Sequence, residues 1–288
     1  MKSAVKNPIV PKVRPDIAEA AKELQRLQRK RSIVLKSRNM QANRLQAIVA
    51  GTLGYHSGME EKERTKMFKQ ATAMIELVEK GEECGELDAI IRVTLIGIRA
   101  FEEEKAALEK EMVKLAKSLP IAKWVEHKDQ RGFGHLFLAI VIGETGDLAN
   151  YANPGKVWRR LGCAPWTFDG QTLMGATWKS GKEGKLPAAE WEAFGYSPRR
   201  RSIAFLVGDG IVKLNKRGPY RKRWLEAKIA AYKSHPEWNW KPCDKCDGPG
   251  SNCGTCGGTG KKCQRAHRHG MLLATKRLLK NLWCEWNS

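Results

Sequence analysis

The sequence predicts a mainly helical chain with one small metal-binding module near its C-terminal end. Three observations carry this. Long stretches repeat apolar residues at three, four and seven positions, which is the period of a packed helix face. Prolines and glycines fall where those stretches stop, and five of the eight cysteines (Cys243, Cys246, Cys253, Cys256, Cys263) crowd into one short run.

The first helical run opens at Asp16 after Pro15, with Ile17, Ala21, Leu24 and Leu27 as its stripe, and ends at Gly51, Gly54 and Gly58. A second opens near Met59 and carries Met67, Ala71, Met74, Ile75 and Val78 before Gly81 and Gly85 close it. The third ends at Leu119 ahead of Pro120, and Ile98, Phe101, Leu108, Met112, Leu115 and Leu119 recur along it. Residues 59–119 therefore read as a helical arm or coiled coil, packed internally or against a second copy of the chain. Residues 1–58 read as a basic N-terminal helical region.

The stretch from Ile121 to Trp166 has the apolar density of a buried core. A short helix, the turn Gly132-Phe133-Gly134 and an apolar helix from His135 to Ile142 form a helix-hairpin-helix pattern, in which glycine lets backbone N–H groups approach a phosphate at a helix N-terminus. Asn153-Pro154 opens another helix through Val157, Trp158 and Leu161. The glycine-rich stretch from Pro165 to Phe194 fits either a hairpin or an irregular loop. Helices resume at Pro198 and Pro219, and a last one follows the cysteines, with Leu272, Leu279 and Trp283 on one line.

The motif CDKCDGPGSNCGTCGGTG places Cys243, Cys246, Cys253 and Cys256 in two C-x-x-C-x-G-x-G units. Each unit is a tight turn that offers two thiolates. Two such turns enclose one tetrahedral ion, and Gly248, Gly250, Gly258 and Gly260 let the backbone fold around it. The expected cofactor is Zn2+ in a structural role, because four protein ligands leave no open position. Cys263, His267 and His269 read as bystanders. Residues 243–260 resemble the cysteine-rich zinc module of the DnaJ chaperone co-factors, with one pair of units, which implies a zinc site and not a chaperone.

Charge narrows the partner. The 288 residues include 52 lysines and arginines against 31 acidic residues, a net charge of +21, and a pI near 9.8. That balance favours a polyanion, with nucleic acid as the default. Arg199-Arg200-Arg201, Lys216-Arg217, Arg221-Lys222-Arg223 and Lys261-Lys262 with Arg265 and Arg268 are the basic clusters, interleaved with Tyr196, Tyr220, Trp224, Trp238 and Trp240. The expected nucleic-acid contacts are Gly132, Gly134, Arg199, Arg200, Arg201, Arg221, Lys222 and Arg223. No apolar run nears the ~18 to 20 residues that span a bilayer, no signal peptide is visible, and the cysteines have metal rather than disulfide spacing. These features read as a cytoplasmic, nucleoid-associated protein without a membrane partner. There is no serine elbow, no HExxH and no Walker loop, and Glu144, Asp147, Asp169 and Asp209 show no spacing that forces them together.

The string from Gly132 to Pro165 (GFG, then IGETGDLANYANPGKVWRRLGCAP) resembles the C-terminal transposase domain of the insertion-sequence 110/116/902 family, the bridge-RNA-guided recombinases of bacteria and phage. FGYSPRRRSIAFLVGDGIVK, YRKRWLEAKIAAYK and AHRHGMLLATKRLLKNLW match later helices of that domain more loosely. The resemblance implies DNA transposition or recombination, with DNA and a guide RNA as partners. It also implies a transposase-type helical domain over residues 120–235 and 264–288, interrupted by a zinc knuckle at 236–263, with a coiled coil ahead of it. Two features depart from the family. Residues 1–58 are too short and too basic for its RuvC-like carboxylate domain, and its catalytic serine falls where this chain has Asp169-Gly170, so that Ser180 takes the role only under a shifted alignment. An active transposase with a serine nucleophile and a non-catalytic helical interaction protein are the alternatives.

Overall fold

The computed structural model describes residues 15–164, 166–168, 171–173, 196–250 and 253–288. The expected candidates Asp169 and Ser180 lie outside them. The described chain is mainly helical: α1 (Pro15–Thr52), α2 (Glu61–Glu79), α3 (Asp88–Ser118), α4 (Ala122–Glu126), α5 (His135–Thr145), α6 (Pro154–Arg160), α7 (Pro198–Leu214), α8 (Pro219–Ser234) and α9 (Gln264–Trp286). Two small antiparallel pairs complete it. β1 (Trp166–Phe168) pairs with β2 (Gln171–Leu173), which makes the start of the glycine-rich stretch a hairpin. β3 (Lys241–Pro242) pairs with β4 (Lys261–Lys262). Among the described residues no helix is long and apolar enough to cross a membrane.

The chain divides into two compact units, and the divisions fall inside α1 and α3 rather than in the loops near residues 58 and 119. One unit is Leu27–Glu111. Its core joins Leu45, Val49 and Ala50 of α1 to Ala71 and Val78 of α2 and to Ile91, Leu95 and Ile98 of α3. Arg31 meets Glu109 at 2.7 Å and Arg38 meets Glu102 at 2.9 Å, so α1 and α3 run antiparallel along the unit. The periodic apolar line of the third helical run is thus covered at Ile98 and Leu108 from within the chain.

The other unit comprises the described parts of Met1–Arg26 and Met112–Ser288. Helix α9 packs on α8, α7 and α6, and α7 packs on α8 and α5. Leu138, Ile142, Val157, Leu161, Val207, Ile211, Leu278 and Leu282 are fully or almost fully buried, each contributing about 1.5 to 3 kcal/mol by leaving water. Local chemistry sets the helix starts. Ser197 caps α7 through its hydroxyl and Asn153 caps α6 through its side-chain oxygen, each followed by proline in the first helical turn.

Helix α9 begins at Gln264, eight residues before Leu272 opens the apolar line that marks it in the sequence, because Gly270 does not break it. A Cβ at Gly270 would lie 2.8 Å from the Trp224 carbonyl oxygen. The close approach of α8 to α9 at that point offsets the ~1 kcal/mol that glycine costs a helix.

Candidate metal centre and nucleic-acid interface

The segment between α8 and α9 folds as two cysteine turns stitched edge to edge. The Cys243 N–H donates to the Gly260 carbonyl at 2.9 Å and the Gly250 N–H to Gly258 at 2.8 Å, while Pro249 bridges Thr259. Gly248, Gly250, Gly258 and Gly260 all hold positive φ, the left-handed region in which a side chain is strained. The Sγ atoms of Cys243, Cys246, Cys253 and Cys256 consequently lie within 4.8 Å of one another.

Cys243 and Cys253 stand 4.0 Å apart and Cys246 and Cys256 3.5 Å apart. A four-coordinate ion with metal–sulfur bonds of about 2.3 Å needs edges of about 3.8 Å, so the four residues fit a tetrahedral metal ion. Backbone N–H groups of Cys256 and Thr255 pull the Cys253 thiol down to about 6, while burial and the neighbouring thiols push Cys243 up to about 11, so Cys253 is the first of the two to become a thiolate. Among the described residues Cys263, His267 and His269 stand outside this group. Cys263 is buried at the start of α9, His267 meets the Trp224 ring edge-on, and His269 faces Trp238.

Two side chains of α8 fasten the cysteine module. Arg221 donates to the Gly254 carbonyl at 2.6 Å and to Val212 at 2.7 Å. Lys228, buried beneath the module, donates to the Thr255 carbonyl and lies 4.2 Å from the Trp224 ring centre. Burial lowers its ammonium from the ordinary lysine range, and negative charge on Cys256 and Cys243 opposes that. Trp238 stacks on His235 at 4.3 Å and carries Arg265 4.6 Å from its ring centre, so its faces are used within the protein.

The residues expected to meet phosphate separate into two groups. Arg199 and Arg200 both bind Glu144, whose carboxylate is buried: Arg199 through two nitrogens, one of them at 2.7 Å, and Arg200 through Nε at 3.3 Å. Arg201 donates to the Gly162 carbonyl at 2.7 Å. With Arg221, these four spend hydrogen bonds on the protein's own acceptors. Lys222 and Arg223 instead are exposed.

Gly132 has a packing role beside the one expected of it. It holds φ +98°, and a Cβ there would run into the Gly210 carbonyl, while one at Gly210 would sit 2.7 Å from the Gly132 oxygen. Its lack of a side chain serves the packing of the turn against α7. Phe133 is fully buried, and exposed Gly134 precedes α5 as its N-cap. Of the carboxylates named above, the described ones are likewise engaged. Asp147 accepts from the Ala149 N–H and the Trp286 indole, and Asp209 pairs with Lys213 at 2.7 Å.

Lys222 and Arg223 line a groove of about 700 Å³ between α8 and α9, faced also by Lys276, Arg277 and Lys280, with Glu226 its one carboxylate. Arg223 reaches Glu226 at 3.8 Å, leaving four cations of the groove in excess. Trp158 forms one wall. Its indole donates to the Lys276 carbonyl at 3.1 Å, and the Lys276 ammonium lies 5.4 Å from its ring centre. Sequence reasoning missed Lys276, Arg277 and Lys280 because they are interspersed in sequence with the buried apolar residues of α9. Their one-turn spacing was the available signal.

No protein-family model matches the chain, and no curated protein or solved structure matches it.

Proposed function

We propose that this chain is a nucleic-acid-binding protein of the insertion-sequence 110/116/902 transposase type, acting in DNA transposition or recombination, with zinc as the structural ion of its cysteine module. The observation that carries the reading is the groove between α8 and α9. Lys222, Arg223, Lys276, Arg277 and Lys280 face one channel with a single carboxylate among them. Cations gathered on one wall-bounded surface suit a phosphate backbone, whose neutralisation releases condensed counterions. The tryptophan wall adds a π-face beside the charge.

Zinc fits the cysteines best among first-row ions, since four thiolates at tetrahedral spacing match its geometry and softness. With all four positions filled by protein, the ion organises the module and takes no substrate. Fixed to α8 by Arg221 and Lys228, the module braces one wall of the groove.

The test is a salt titration of affinity for duplex DNA and for structured RNA, with elemental analysis of the same preparation. Binding that falls steeply with salt, together with about one zinc per chain, is the expected result. Loss of all salt-sensitive binding would leave a helical interaction protein instead. A magnesium-dependent nicking assay on supercoiled DNA addresses the catalytic alternative: turnover abolished by S180A would replace the binding-only reading.

A further inference from the structure

Outside the groove, the ends of three helices bring a second set of cations together. Glu144 lies in the last turn of α5, Arg160 ends α6, and Arg199 and Arg200 open α7. Arg160 Nε donates to the Glu144 carbonyl at 3.2 Å and Arg200 Nε to the Glu144 carboxylate at 3.3 Å, so one residue fixes both guanidinium groups by their inner nitrogens. Arg199, bound through two nitrogens to the same carboxylate, already offsets its charge. Arg160 and Arg200 remain as two further cations around it.

We propose that Arg160 and Arg200, held in place by Glu144, form a binding site for a terminal phosphate of a nucleic-acid strand. Two guanidinium forks, each with its Nε already engaged, keep terminal nitrogens that can donate to phosphate oxygens. A terminal phosphate monoester carries about −1.5 to −2 charge near neutral pH, matching two cations. An internal phosphodiester carries a single charge and matches them half as well. Tyr151 stands at the same place. Its hydroxyl donates to the Thr145 carbonyl at 2.7 Å, and Arg160 and Arg200 both oppose the upward pull of burial on its phenol. This inference rests on the nucleic-acid reading above and adds to it a site for a strand end, apart from the groove that follows a strand's length.

The experiment compares one single-stranded oligonucleotide in 5′-phosphorylated, 3′-phosphorylated and unphosphorylated forms by fluorescence anisotropy, using the full metal-loaded chain at fixed ionic strength. At least one phosphorylated form is expected to bind about tenfold tighter, the size of one charge-assisted hydrogen-bonded pair. Inorganic phosphate is expected to compete that advantage away. R160Q and R200Q should erase it while leaving affinity for the unphosphorylated strand in place, and Arg160→Lys, which keeps charge without the fork, should retain part of it. Equal affinity for all three strands overturns the site and leaves the nucleic-acid reading standing. A preference that persists in both glutamine variants also overturns it. If no strand binds, a rise in melting temperature with inorganic phosphate that R160Q removes would sustain the anion site and end the nucleic-acid reading, while no such rise would end both. Should a glutamine variant fail to fold, the wild-type strand comparison decides.

Discussion

The arginines at the start of α7 and the lysines along α9 carry the same charge, yet the protein holds them in opposite ways. Arg199 and Arg200 are clamped on a buried carboxylate, whereas Lys280 and Arg277 stand on an exposed helix face with no acid paired to them among the described residues. A clamped guanidinium has lost its rotamer freedom before any ligand arrives, so it favours one geometry. A loose row of cations accepts many. The contrast teaches that net charge alone does not describe how cations are displayed: on the proposed reading, the anchored ones would select a ligand and the loose ones would attract it.

The largest expected effect separates the two regions by their supports. Removing the metal by chelation, or with C256A, should unfold the cysteine module and loosen α8, which reaches it through Arg221 and Lys228. Hydrogen exchange should then rise across 219–234 and 243–263 while the first turn of α7 keeps its protection. Equal deprotection at Arg199 and Arg200 would show that the regions share one support.

Gly132→Val acts on the other region. It forces a side chain into the Gly210 backbone at a positive φ, and overpacking together with backbone strain should cost about 4 kcal/mol, read by denaturant unfolding. A loss below about 1 kcal/mol would mean the turn relaxes away from α7. For the same reason G132V is unsuited as a probe of phosphate contact.

Next in size is Glu144→Gln, which leaves Arg199 and Arg200 without their carboxylate. The expected destabilisation is about 2 to 3 kcal/mol, the lower side of what a broken buried pair costs, because Arg199 is half exposed and solvent screens it. Thermal unfolding measures it. A neutral outcome would make the clamp dispensable and blur the contrast with the groove.

The smallest stability change, and the clearest functional one, belongs to the groove. K276Q, R277Q and K280Q should each leave stability within about 0.5 kcal/mol. Each should lower the slope of log affinity against log salt by about 0.9 on duplex DNA, whatever its sequence. An unchanged slope in all three would move binding off this surface.

What the sequence revealed follows from how far apart the partners lie. Asn153-Pro154, Pro198 and Pro219 announce their helices because capping is settled within a few residues. The cysteine cluster is legible for the same reason, its ligands being two tight turns. The clamp is not: Glu144 and Arg199 are 55 residues apart, and neither carries a mark of the other. The groove wall joins Trp158 to Lys276 across 118 residues. Gly132, read as making room for a phosphate, makes room for Gly210 of α7, a neighbour the sequence does not name, since a small residue announces close approach without saying to what. That the apolar line of α9 opens only at Leu272 has a related cause, as Gly270 looks like a break until Trp224 is placed against it.

The cysteine module lies within the connection that carries the chain from His235 to Cys263 between two helices packed along each other. Joining distant points of a chain costs entropy that grows with the logarithm of the loop between them. An ion joining Cys243 and Cys246 to Cys253 and Cys256 would turn most of that connection into a rigid knot and leave only a short free chain to close. Metal uptake should therefore speed the docking of α9 onto α8 during folding, so that apo and metal-loaded chains differ in refolding rate as well as in final stability.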